Sequence, residues 1–310
     1  MRRQLFRSVL PLLVLIAGAA GAQPKPEART PAADELKKKF ESSLAEIARR
    51  VDGVMSYAVV DLTSGDRIAH LESSVQPTAS TIKLALLYEL YRQADEGTLK
   101  LDQVRTLDRQ QAVPGSGILF QLGTPSLSLR DYATLMVVLS DNTATNVIIE
   151  KVGMPAVNAR LQALGLKDTK VRRHMMDLEA ARRGDENVST SADLARLLEV
   201  YYRGEGLRPA SKEEAIGLLT LRNESKTSGL LRGVPPGVEV ASKPGELEGV
   251  RVDAGIVYAK NRPYIFAAMT TFLQKDEDGE AAIERASRVA YQYFARLGAG
   301  TEYGRQIGRD

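Results

Sequence analysis

The sequence predicts an α+β fold in which a sheet is built from both ends of the chain and an all-α segment is inserted between them. Apolar and β-branched runs separated by turn residues, a pattern typical of strands, occur over residues 55–71 and again over 238–272. Between residues 80 and 204 the apolar residues instead recur at helical spacing. Because the chain passes twice between sheet and helices, we expect two lobes with a cleft where they meet.

The first 22 residues have the organisation of an export signal. Three arginines precede an apolar run over residues 9–19, and small residues at positions 20–22 form a cleavage site. The apolar run is too short to span a membrane comfortably. We therefore expect cleavage after Ala22, a periplasmic or secreted protein, and no stable membrane insertion after cleavage; an uncleaved anchor is the alternative. Residues 23–33, rich in proline and alanine, predict a flexible tether.

After the tether we expect an α/β lobe formed by residues 34–76 and 211–310, and an all-α lobe formed by residues 77–210. Gly65 lies in a turn between two short strand-like runs, which indicates a hairpin near the start of the first lobe. The closing segment of the chain has the apolar spacing of an amphipathic helix. The first lobe is predicted to contain helices at residues 33–50, 211–221 and 280–297, and strands at residues 55–62, 67–71, 238–243, 252–258 and 264–272.

The all-α lobe is marked by signals that begin and end helices. Two pairs of polar residues have the spacing of capping boxes, and glycines mark helix ends. The pairs are Ser128 with Asp131 and Thr190 with Asp193, and the helix-ending residues are Gly97 and Gly153 with Pro155. Between residues 80 and 204 the pattern contains no convincing strand, so we predict that this lobe is wholly helical.

Charge and composition exclude several classes of function. The three arginines of the predicted export signal account for the net charge of +3, and the remaining 39 basic residues balance 39 acidic ones. Nothing in this balance favours nucleic acid as a partner. The chain contains no cysteine, which excludes disulfides, thiol catalysis and cysteine metal sites. Since only His70 and His174 carry imidazoles, lysine is the favoured base for a serine nucleophile. We also expect a monomer that needs no metal and no organic cofactor.

Ser80 and Lys83 stand at the start of an apolar helical run over residues 84–94, at the first crossing between sheet and helices. Residues three apart lie on one side of a helix, so the Lys83 amine can hydrogen-bond the Ser80 hydroxyl and act as its base. The N–H groups of the first turn would also place positive potential where an attacked carbonyl oxygen develops charge. The alternative is a chance pairing, because serine and lysine at this spacing are common.

Residues 140–142, with the sequence Ser-Asp-Asn, fall at a break between two apolar helical runs. In a catalytic interpretation, Ser140 relays a proton to a leaving nitrogen and Asn142 donates its amide to a substrate carbonyl. The alternative is a helix cap in which Asp141 accepts backbone N–H bonds.

Residues 243–245, with the sequence Lys-Pro-Gly, end a predicted strand. Gly245 would let a ligand approach the backbone, and Lys243 beside it can hold a carboxylate. The alternative is an ordinary strand exit, in which these residue types are common.

Together the three clusters resemble the class A serine β-lactamases and the penicillin-binding proteins related to them. In those families S-x-x-K opens a helix, S-D-N lies between helices, and K-T-G lies on a strand that borders the site. The order is the same here, with 60 residues from Ser80 to Ser140 and 103 from Ser140 to Lys243, similar to class A spacing. The resemblance covers nearly all of the predicted mature chain. It implies a β-lactamase/transpeptidase-like fold, with an antiparallel sheet flanked by helices and an inserted all-α lobe.

The resemblance also implies acyl transfer through a serine acyl-enzyme. Lys83, kept neutral by burial and by nearby Lys243, is expected to take the Ser80 proton. Ser140 is expected to pass a proton to the leaving amine, while the N–H groups of Ser80 and Glu246 hold the oxyanion. The residues expected to bind substrate are Asn142, Lys243, Gly245 and Glu246.

The first departure from the family pattern concerns release of the acyl group. Class A enzymes carry a glutamate on the loop before the helix that here starts near Thr190, and that glutamate activates the hydrolytic water. Alignment places His174 or Met175 at its position, and neither is a carboxylate. The candidates for deacylation are His174 and, if the loop is shifted, Asp177 or Glu179. The alternative is that the His174 imidazole is structural and that both carboxylates are solvated loop charges. We therefore expect deacylation to be slow.

The second departure is Pro244, which replaces the threonine or serine of K-T-G. In the family that hydroxyl binds the carboxylate of the β-lactam or of the terminal D-alanine. Proline also lacks an N–H, which an edge strand tolerates and a central strand does not. Lys243 keeps its charge, and Arg251 on the following strand is either a compensating cation or an exposed charge at the strand edge.

Three functions are consistent with the sequence. The first is a β-lactamase-like serine hydrolase. The second, on the same fold, is a cell-wall D-alanine peptidase, transpeptidase or esterase. The third is a non-catalytic protein that binds peptidoglycan or β-lactams. In each case the partner is a small molecule, either a β-lactam or a D-alanine-type peptide or ester.

The export signal leads to the first testable prediction. Because Ala22 ends the small-residue site, the protein recovered from the periplasm or medium should begin at Gln23. Intact-mass measurement of that fraction checks this start. Recovery of the chain in the membrane with Met1 still present would contradict it.

Overall fold

Strands from the two ends of the chain form one sheet, and helices cover both of its faces. The computed structural model describes residues 30–221, 228–301 and 303–307. Within these residues the strands are β1 (Val54–Asp61), β2 (Arg67–His70), β3 (Gln76–Pro77), β4 (Val104–Thr106), β5 (Ser126–Ser128), β6 (Val188–Ser189), β7 (Val240–Leu247), β8 (Val250–Val257) and β9 (Tyr264–Thr271). Five of them form an antiparallel sheet in the order β2-β1-β9-β8-β7, so β7 is an edge strand.

The helices divide between the outer face of this sheet and the segment inserted between its strands. In chain order they are α1 (Pro31–Arg49), α2 (Lys83–Asp95), α3 (Leu129–Val138), α4 (Asn142–Val152), α5 (Met154–Ala163), α6 (Leu178–Arg182), α7 (Ser191–Arg203), α8 (Pro209–Leu221), α9 (Gly229–Gly233) and α10 (Asp276–Ala299). The α+β fold predicted from the sequence is confirmed.

Alternate residues of the central strands supply two separate cores, because the side-chain period of a strand is two. Val59 of β1 and Phe266 of β9 belong to the outer core, which α1, α9 and α10 cover. Their neighbours Val60 and Ala267 belong to the inner core, which lies between the sheet and the inserted helices. Both faces of the sheet are thus buried.

Helix α2 lies at the centre of the inner core. Its residues from Lys83 to Tyr91 are buried on every side. The hydroxyl of Tyr201 on α7 donates a hydrogen bond of 2.8 Å to the backbone oxygen of Leu84. Burial raises the pKa of Tyr201 well above its ordinary value, so this hydroxyl remains a donor. These contacts hold the start of α2 in place below the cleft.

The structure corrects four details of the prediction. The segment between residues 80 and 204 is not wholly helical, because β4 pairs with β5 and β6 pairs with β3 in two short ladders. The short helices α6 and α9 were not predicted. The Lys-Pro-Gly segment does not end its strand, since β7 continues to Leu247 and stays paired with β8 throughout. A one-turn 3-10 helix, Ala79–Ile82, precedes α2, so Ser80 lies just before the α-helix.

The proposed lobe boundaries at residues 76 and 211 stay a prediction. Helix α8, which begins near the second boundary, packs against β7 and also against α2 and α3. The predicted export signal and most of the predicted tether lie outside the described residues. Among the residues that are described, no helix is long and apolar enough to cross a membrane.

Candidate active site

Ser80 lies in the 3-10 turn that joins β3 to α2. The turn is tied to the loop that precedes β6, because Thr78 donates its backbone N–H to the Asn187 oxygen over 3.0 Å. Thr81 closes the turn by donating its hydroxyl to the Thr78 oxygen over 2.7 Å. Ala79, directly before Ser80, has a φ of 47°, an unfavourable conformation for a residue with a side chain. Ser80 is half-buried at the base of a cleft.

Lys83 is fully buried, and its amine is the centre of a hydrogen-bond network. Its Nζ lies 3.0 Å from the Ser80 Oγ, as the spacing of the two residues predicted. It also donates to the Ser140 backbone oxygen over 2.7 Å and to the Asn142 Oδ1 over 3.3 Å. The amine is therefore oriented from several sides, with the Ser80 hydroxyl within hydrogen-bond distance.

The Ser140 hydroxyl lies between two lysines. Its Oγ is 3.0 Å from the Nζ of Lys83 and 3.0 Å from the Nζ of Lys243. Two bonds of 3.0 Å to one oxygen place the two amines no more than about 6 Å apart. Ser140 has a φ of 54°, a second strained residue at the cleft. Lys243 is fully buried and also donates to the Pro244 oxygen over 3.0 Å.

Asp141 caps α4 and also holds the loop that forms one wall of the cleft. Its Oδ1 accepts the Ala144 N–H over 2.8 Å, as a helix cap does. Its Oδ2 accepts the N–H groups of Ile118 and Leu119 over 2.6 and 2.8 Å. A side chain at Gly117 would collide with Asp141, since an added Cβ would lie 2.2 Å from Oδ2. The sequence predicted the cap but gave no sign of the second role, because the loop is more than twenty residues away.

Asn142 joins the same wall to the lysine network. Its Oδ1 accepts from Lys83, while its Nδ2 donates to the Pro114 oxygen over 3.2 Å. Its backbone N–H donates to the Ser116 oxygen over 3.0 Å. An added Cβ at Gly115 would lie 2.6 Å from the Asn142 Nδ2, so a glycine is required there.

Strand β7 passes directly beside Ser80. A Cβ added at Gly245 would lie 2.5 Å from the Thr78 oxygen and 2.8 Å from the Ser80 nitrogen, so only glycine permits this approach. Glu246 follows on the rim of the cleft and is exposed. Pro244 is in an edge strand, where a missing N–H is tolerated.

The cleft above Ser80 has a volume of about 180 Å³. Its lining combines polar groups near Ser80 with apolar side chains from the loop before β6 and from β7. The lining residues are Ala79, Ser80, Gly115, Ser116, Asn142, Arg173, Met175, Met176, Leu178, Glu186, Asn187, Glu246 and Leu247. Of the residues that alignment placed at the glutamate position, Met175 therefore lines the cleft.

The three residues considered for deacylation lie elsewhere on the loop. His174 places its Nε2 2.7 Å from the Oε1 of Glu150 on α4. Asp177 caps α6 and accepts the Ala180 N–H over 2.9 Å, and Glu179 is an exposed residue in the first turn of that helix. None of the three belongs to the described lining of the cleft.

Met175 is held against the cleft by Asn146, one turn further along α4 than Asn142. The Asn146 Oδ1 accepts the Met175 N–H over 2.8 Å, and its Nδ2 donates to the Met175 oxygen over 3.2 Å. Both backbone groups of Met175 are thereby satisfied, and the residue is only 8% exposed. Sequence reasoning did not identify this clamp, because an asparagine within a helix carries no local signal of a distant partner.

A partly buried ion pair stiffens the loop behind Met175. Arg173 binds Glu186 through both carboxylate oxygens, with Nη2 distances of 2.9 and 3.0 Å. The side chain of Asn187 accepts the N–H of Arg173 and returns a bond to its oxygen. Glu186 is one of two carboxylates in the described lining of the cleft, the other being Glu246; it is paired with Arg173 and was not predicted as a site residue.

Arg251 is engaged at the β7-β8 hairpin. Its Nη2 lies 3.0 Å from the Oδ2 of Asp276, and its Nη1 donates to the backbone oxygens of Leu247 and Val250 over 2.8 Å each. Its guanidinium is thus held within the hairpin, whereas the two alternatives considered from the sequence were a cation that compensates for Pro244 and an exposed charge at the strand edge.

The arrangement suits acyl transfer by a serine. A nucleophile, an adjacent amine and a second hydroxyl are linked by hydrogen bonds at the base of one cleft. This topology and this lysine-linked serine site are those of the β-lactamase-like serine hydrolases. The chain belongs to the β-lactamase enzyme family, which it matches over residues 39–294.

Individual relatives agree with this assignment. The chain is 28% identical to β-lactamase L2 of Stenotrophomonas maltophilia over 273 residues, which cover 86% of this chain and 85% of the relative. The structure of PBP-A aligns with a TM-score of 0.76 at 28% identity, over 87% of this chain and 98% of PBP-A. A β-lactamase from Sphaerobacter thermophilus aligns with a TM-score of 0.74 at 29% identity, over 82% and 96% of the two chains. The similarity spans nearly the whole described chain and indicates a β-lactamase-like hydrolase.

The close approach of β7 to Ser80 leads to a second testable prediction. Gly245→Ala should push the strand away from Ser80 and slow acylation of Ser80 by about a hundredfold, because a displacement near 1 Å is enough for such a loss. The rate of adduct formation with a penicillin or an activated ester measures this effect.

Gly217→Ala in α8 is the matched control, since an added Cβ there meets nothing within 4 Å. It should acylate at the wild-type rate and gain about 1 kcal/mol of helix stability. Wild-type acylation by Gly245→Ala would show that the strand's approach is not needed.

Proposed function

We propose that this protein is a β-lactamase-like serine hydrolase that forms an acyl-enzyme on Ser80 and releases it slowly. The observation that carries the proposal is the continuous hydrogen-bond chain from Ser80 through Lys83 and Ser140 to Lys243. Such a chain can move a proton from the nucleophile to a leaving group without help from bulk water.

Acylation begins when the Lys83 amine takes the proton of the Ser80 hydroxyl. The Ser80 oxygen attacks the substrate carbonyl, and the N–H groups of Ser80 and Glu246 stabilise the developing oxyanion. Ser140 donates its proton to the leaving nitrogen and recovers one from Lys83, so the Ser80 proton ends on the leaving group. Gly245 supports this geometry because it lets the Glu246 backbone come close to Ser80.

The two lysines favour different charge states. Both amines are fully buried and share the Ser140 hydroxyl, and two ammonium groups within about 6 Å of each other would repel strongly. We propose that Lys83 is the neutral one, since it is the amine next to the Ser80 hydroxyl. A neutral Lys83 can act as a base, whereas a charged Lys83 cannot.

Release of the acyl group requires a water and a base. Met175, one of the two residues that alignment gives for the family's glutamate, lines the cleft with an apolar side chain. Met175 has no lone pair strong enough to deprotonate water, and Glu186 is paired with Arg173. A variant of PBP-A with glutamate in place of a leucine was solved as an acyl-enzyme complex with penicillin G; it aligns with this chain with a TM-score of 0.76. We infer that acylation outpaces deacylation in this protein.

The same features favour a second candidate, a cell-wall D-alanine peptidase, transpeptidase or esterase. A long-lived acyl-enzyme can be captured by an amine or alcohol as well as by water. Met175 and Pro244 are the residues that favour this alternative. A purely non-catalytic binding role is disfavoured, since it would not require the hydrogen-bonded Ser80, Lys83 and Ser140 to be retained.

We propose that the protein acts as a monomer in the periplasm or outside the cell, on a small β-lactam or a D-alanine-type peptide or ester. The predicted export signal supports the location. The size of the cleft supports a small substrate, since about 180 Å³ is below the roughly 300–1,000 Å³ of typical small-molecule sites.

The nucleophile is the subject of a third testable prediction. A penicillin or an activated ester should add one acyl group to Ser80, detected by intact mass and peptide mapping, and Ser80→Ala should abolish the adduct. Ser116→Ala is the matched control, because Ser116 lines the same cleft but donates nothing from its side chain to the lysine network. An adduct that survives Ser80→Ala would overturn the assignment.

Deacylation provides a fourth testable prediction. Met175→Glu should accelerate loss of the adduct, because a positioned base contributes roughly a hundredfold to ten-thousandfold. Adduct lifetime by mass spectrometry after removal of excess penicillin measures the effect. His174→Glu is the matched control and should leave the lifetime unchanged, since position 174 points to Glu150 instead.

Two outcomes would contradict slow release. The first is rapid turnover of penicillins by the unmodified protein. The second is turnover that is lost in Asp177→Ala or Glu179→Ala, which would show that a carboxylate outside the cleft lining reaches the acyl group.

A further inference from the structure

Met176 stands between two segments that line the cleft. It belongs to the loop before β6, whereas Gly115 belongs to the wall that Asn142 joins to the lysine network. A Cβ added at Gly115 would lie 3.3 Å from the Met176 Sδ. Because a carbon–carbon bond is about 1.5 Å long, the sulfur lies within about 4.8 Å of the Gly115 Cα. The Met176 side chain therefore occupies the space in front of Gly115, which has no side chain of its own.

The space between Met176 and Gly115 is too narrow for a substrate group. Carbon atoms in contact lie about 3.5–4.0 Å apart, so a substrate carbon between the two residues would need a separation of roughly 7–8 Å. The sulfur and the Gly115 Cα are instead no more than about 4.8 Å apart. The cleft is also small for a ligand site, at about 180 Å³ against roughly 300–1,000 Å³. A wide substrate group can enter here only if the Met176 side chain moves.

This narrow space lies beside the side-chain amide of Asn142. The same added Cβ at Gly115 would lie 2.6 Å from the Asn142 Nδ2, so the Met176 sulfur is within about 6 Å of that nitrogen. We expect Asn142 to donate its amide to a substrate carbonyl. The group attached to that carbonyl then lies next to Met176, so its width decides whether the Met176 side chain can stay in place.

The Met176 backbone is held in place, whereas its side chain can change rotamer. Asn146 binds both backbone groups of Met175, the preceding residue. The Met176 oxygen accepts the Leu178 N–H over 3.0 Å. The Met176 side chain is 38% exposed and has three rotatable bonds, so it can turn out into solvent. Opening the space therefore needs rotation of one side chain and no movement of the loop.

We infer that Met176 is a gate residue that selects penicillin-type substrates by the width of the side chain next to the reacting ring. The inference rests on the proposed acyl-enzyme on Ser80 and names the substrates that form it fastest. A substrate side chain that begins with a CH2 group needs little displacement of Met176. An aromatic ring bonded directly to the amide carbonyl and substituted on both sides pushes Met176 away from Gly115 and forfeits its contacts there.

The chemical step is the same for both kinds of substrate. The Ser80 oxygen bonds to the lactam carbonyl carbon, the lactam C–N bond breaks, and the Ser80 proton ends on that nitrogen. Met176 takes no part in these bond changes. Its effect is confined to the fit of the substrate side chain, so it should alter the preference between substrates.

Two penicillins test the inference because they share the reacting ring and its carboxylate. Benzylpenicillin carries a CH2 group between its amide carbonyl and its phenyl ring, whereas methicillin carries a ring bonded directly to that carbonyl, with methoxy groups at both ortho positions. Intact mass followed over time gives the second-order rate constant for the Ser80 adduct with each compound. The quantity compared between variants is the methicillin rate constant divided by the benzylpenicillin rate constant, so differences in ring reactivity cancel.

Met176→Ala should raise this ratio about tenfold, since the shorter side chain leaves the space beside Asn142 open. Met176→Gly should raise it as much, and glycine adopts the φ of 64° without strain, so the test does not depend on the folding of one variant. Met176→Leu keeps a bulky side chain and should stay within about twofold of the unmodified protein.

Leu71→Ala is the matched control. Like Met176, Leu71 is an exposed apolar residue with a positive φ, here 45°, but it is not in the described lining of the cleft. The ratio should be unchanged in this variant. A general effect of losing an exposed apolar side chain would appear in it.

An unchanged ratio in Met176→Ala and Met176→Gly would overturn the inference, while the Ser80 adduct with benzylpenicillin would leave the proposed function intact. An equal rise in Leu71→Ala or Met176→Leu would overturn it too, because width at position 176 would not be the cause. Absence of a Ser80 adduct with benzylpenicillin in the unmodified protein would instead overturn the proposed function, and the inference with it.

Discussion

The buried amine of Lys83 is the constraint on which the candidate site depends. It is fully buried and hydrogen-bonds the Ser80 hydroxyl. It also bonds to the backbone and side chain of Ser140 and to the side chain of Asn142, so it joins the Ser80 turn to the segment that carries these two residues. A buried amine without partners is costly, so the segment between α3 and α4 must come to α2 in one arrangement only. The same bonds that satisfy Lys83 therefore bring the hydroxyls of Ser80 and Ser140 to one amine.

Backbone strain at residues around the cleft is maintained by the packing of neighbouring elements. Ala79, Ser140 and Met176 all have positive φ values although none is glycine. Ala79 and Met176 line the cleft with Ser80, and Ser140 bonds to the same lysine as Ser80. Strained residues persist only where the surrounding structure determines their conformation, and such residues concentrate at functional sites. Here the support comes from the buried α2 and from β7, whose Gly245 allows backbone contact with the Ser80 turn. Met175, beside Met176, gives this wall of the cleft an apolar side chain.

The sequence by itself determined most of the secondary structure and the short-range part of the site. The periods of the apolar residues, the capping pairs and the glycines are local signals, and the long helices and strands follow from them within a few residues. The bond between Lys83 and Ser80 is also local, because residues three apart lie on one side of a helical turn. The ordered motifs further predicted the fold and named Ser140, Asn142 and Lys243 as neighbours of Ser80.

Only the tertiary structure decided how distant parts of the chain share the site. Ser140 bonds to lysines 57 and 103 residues away, and no local pattern encodes that both reach one hydroxyl. The choice between His174 and Met175 for the cleft depends on Asn146 of another helix, which holds the Met175 backbone. Contacts of this kind join side chains that come close only when the cores pack. Propensity and spacing describe neighbours along the chain, so they do not determine such contacts.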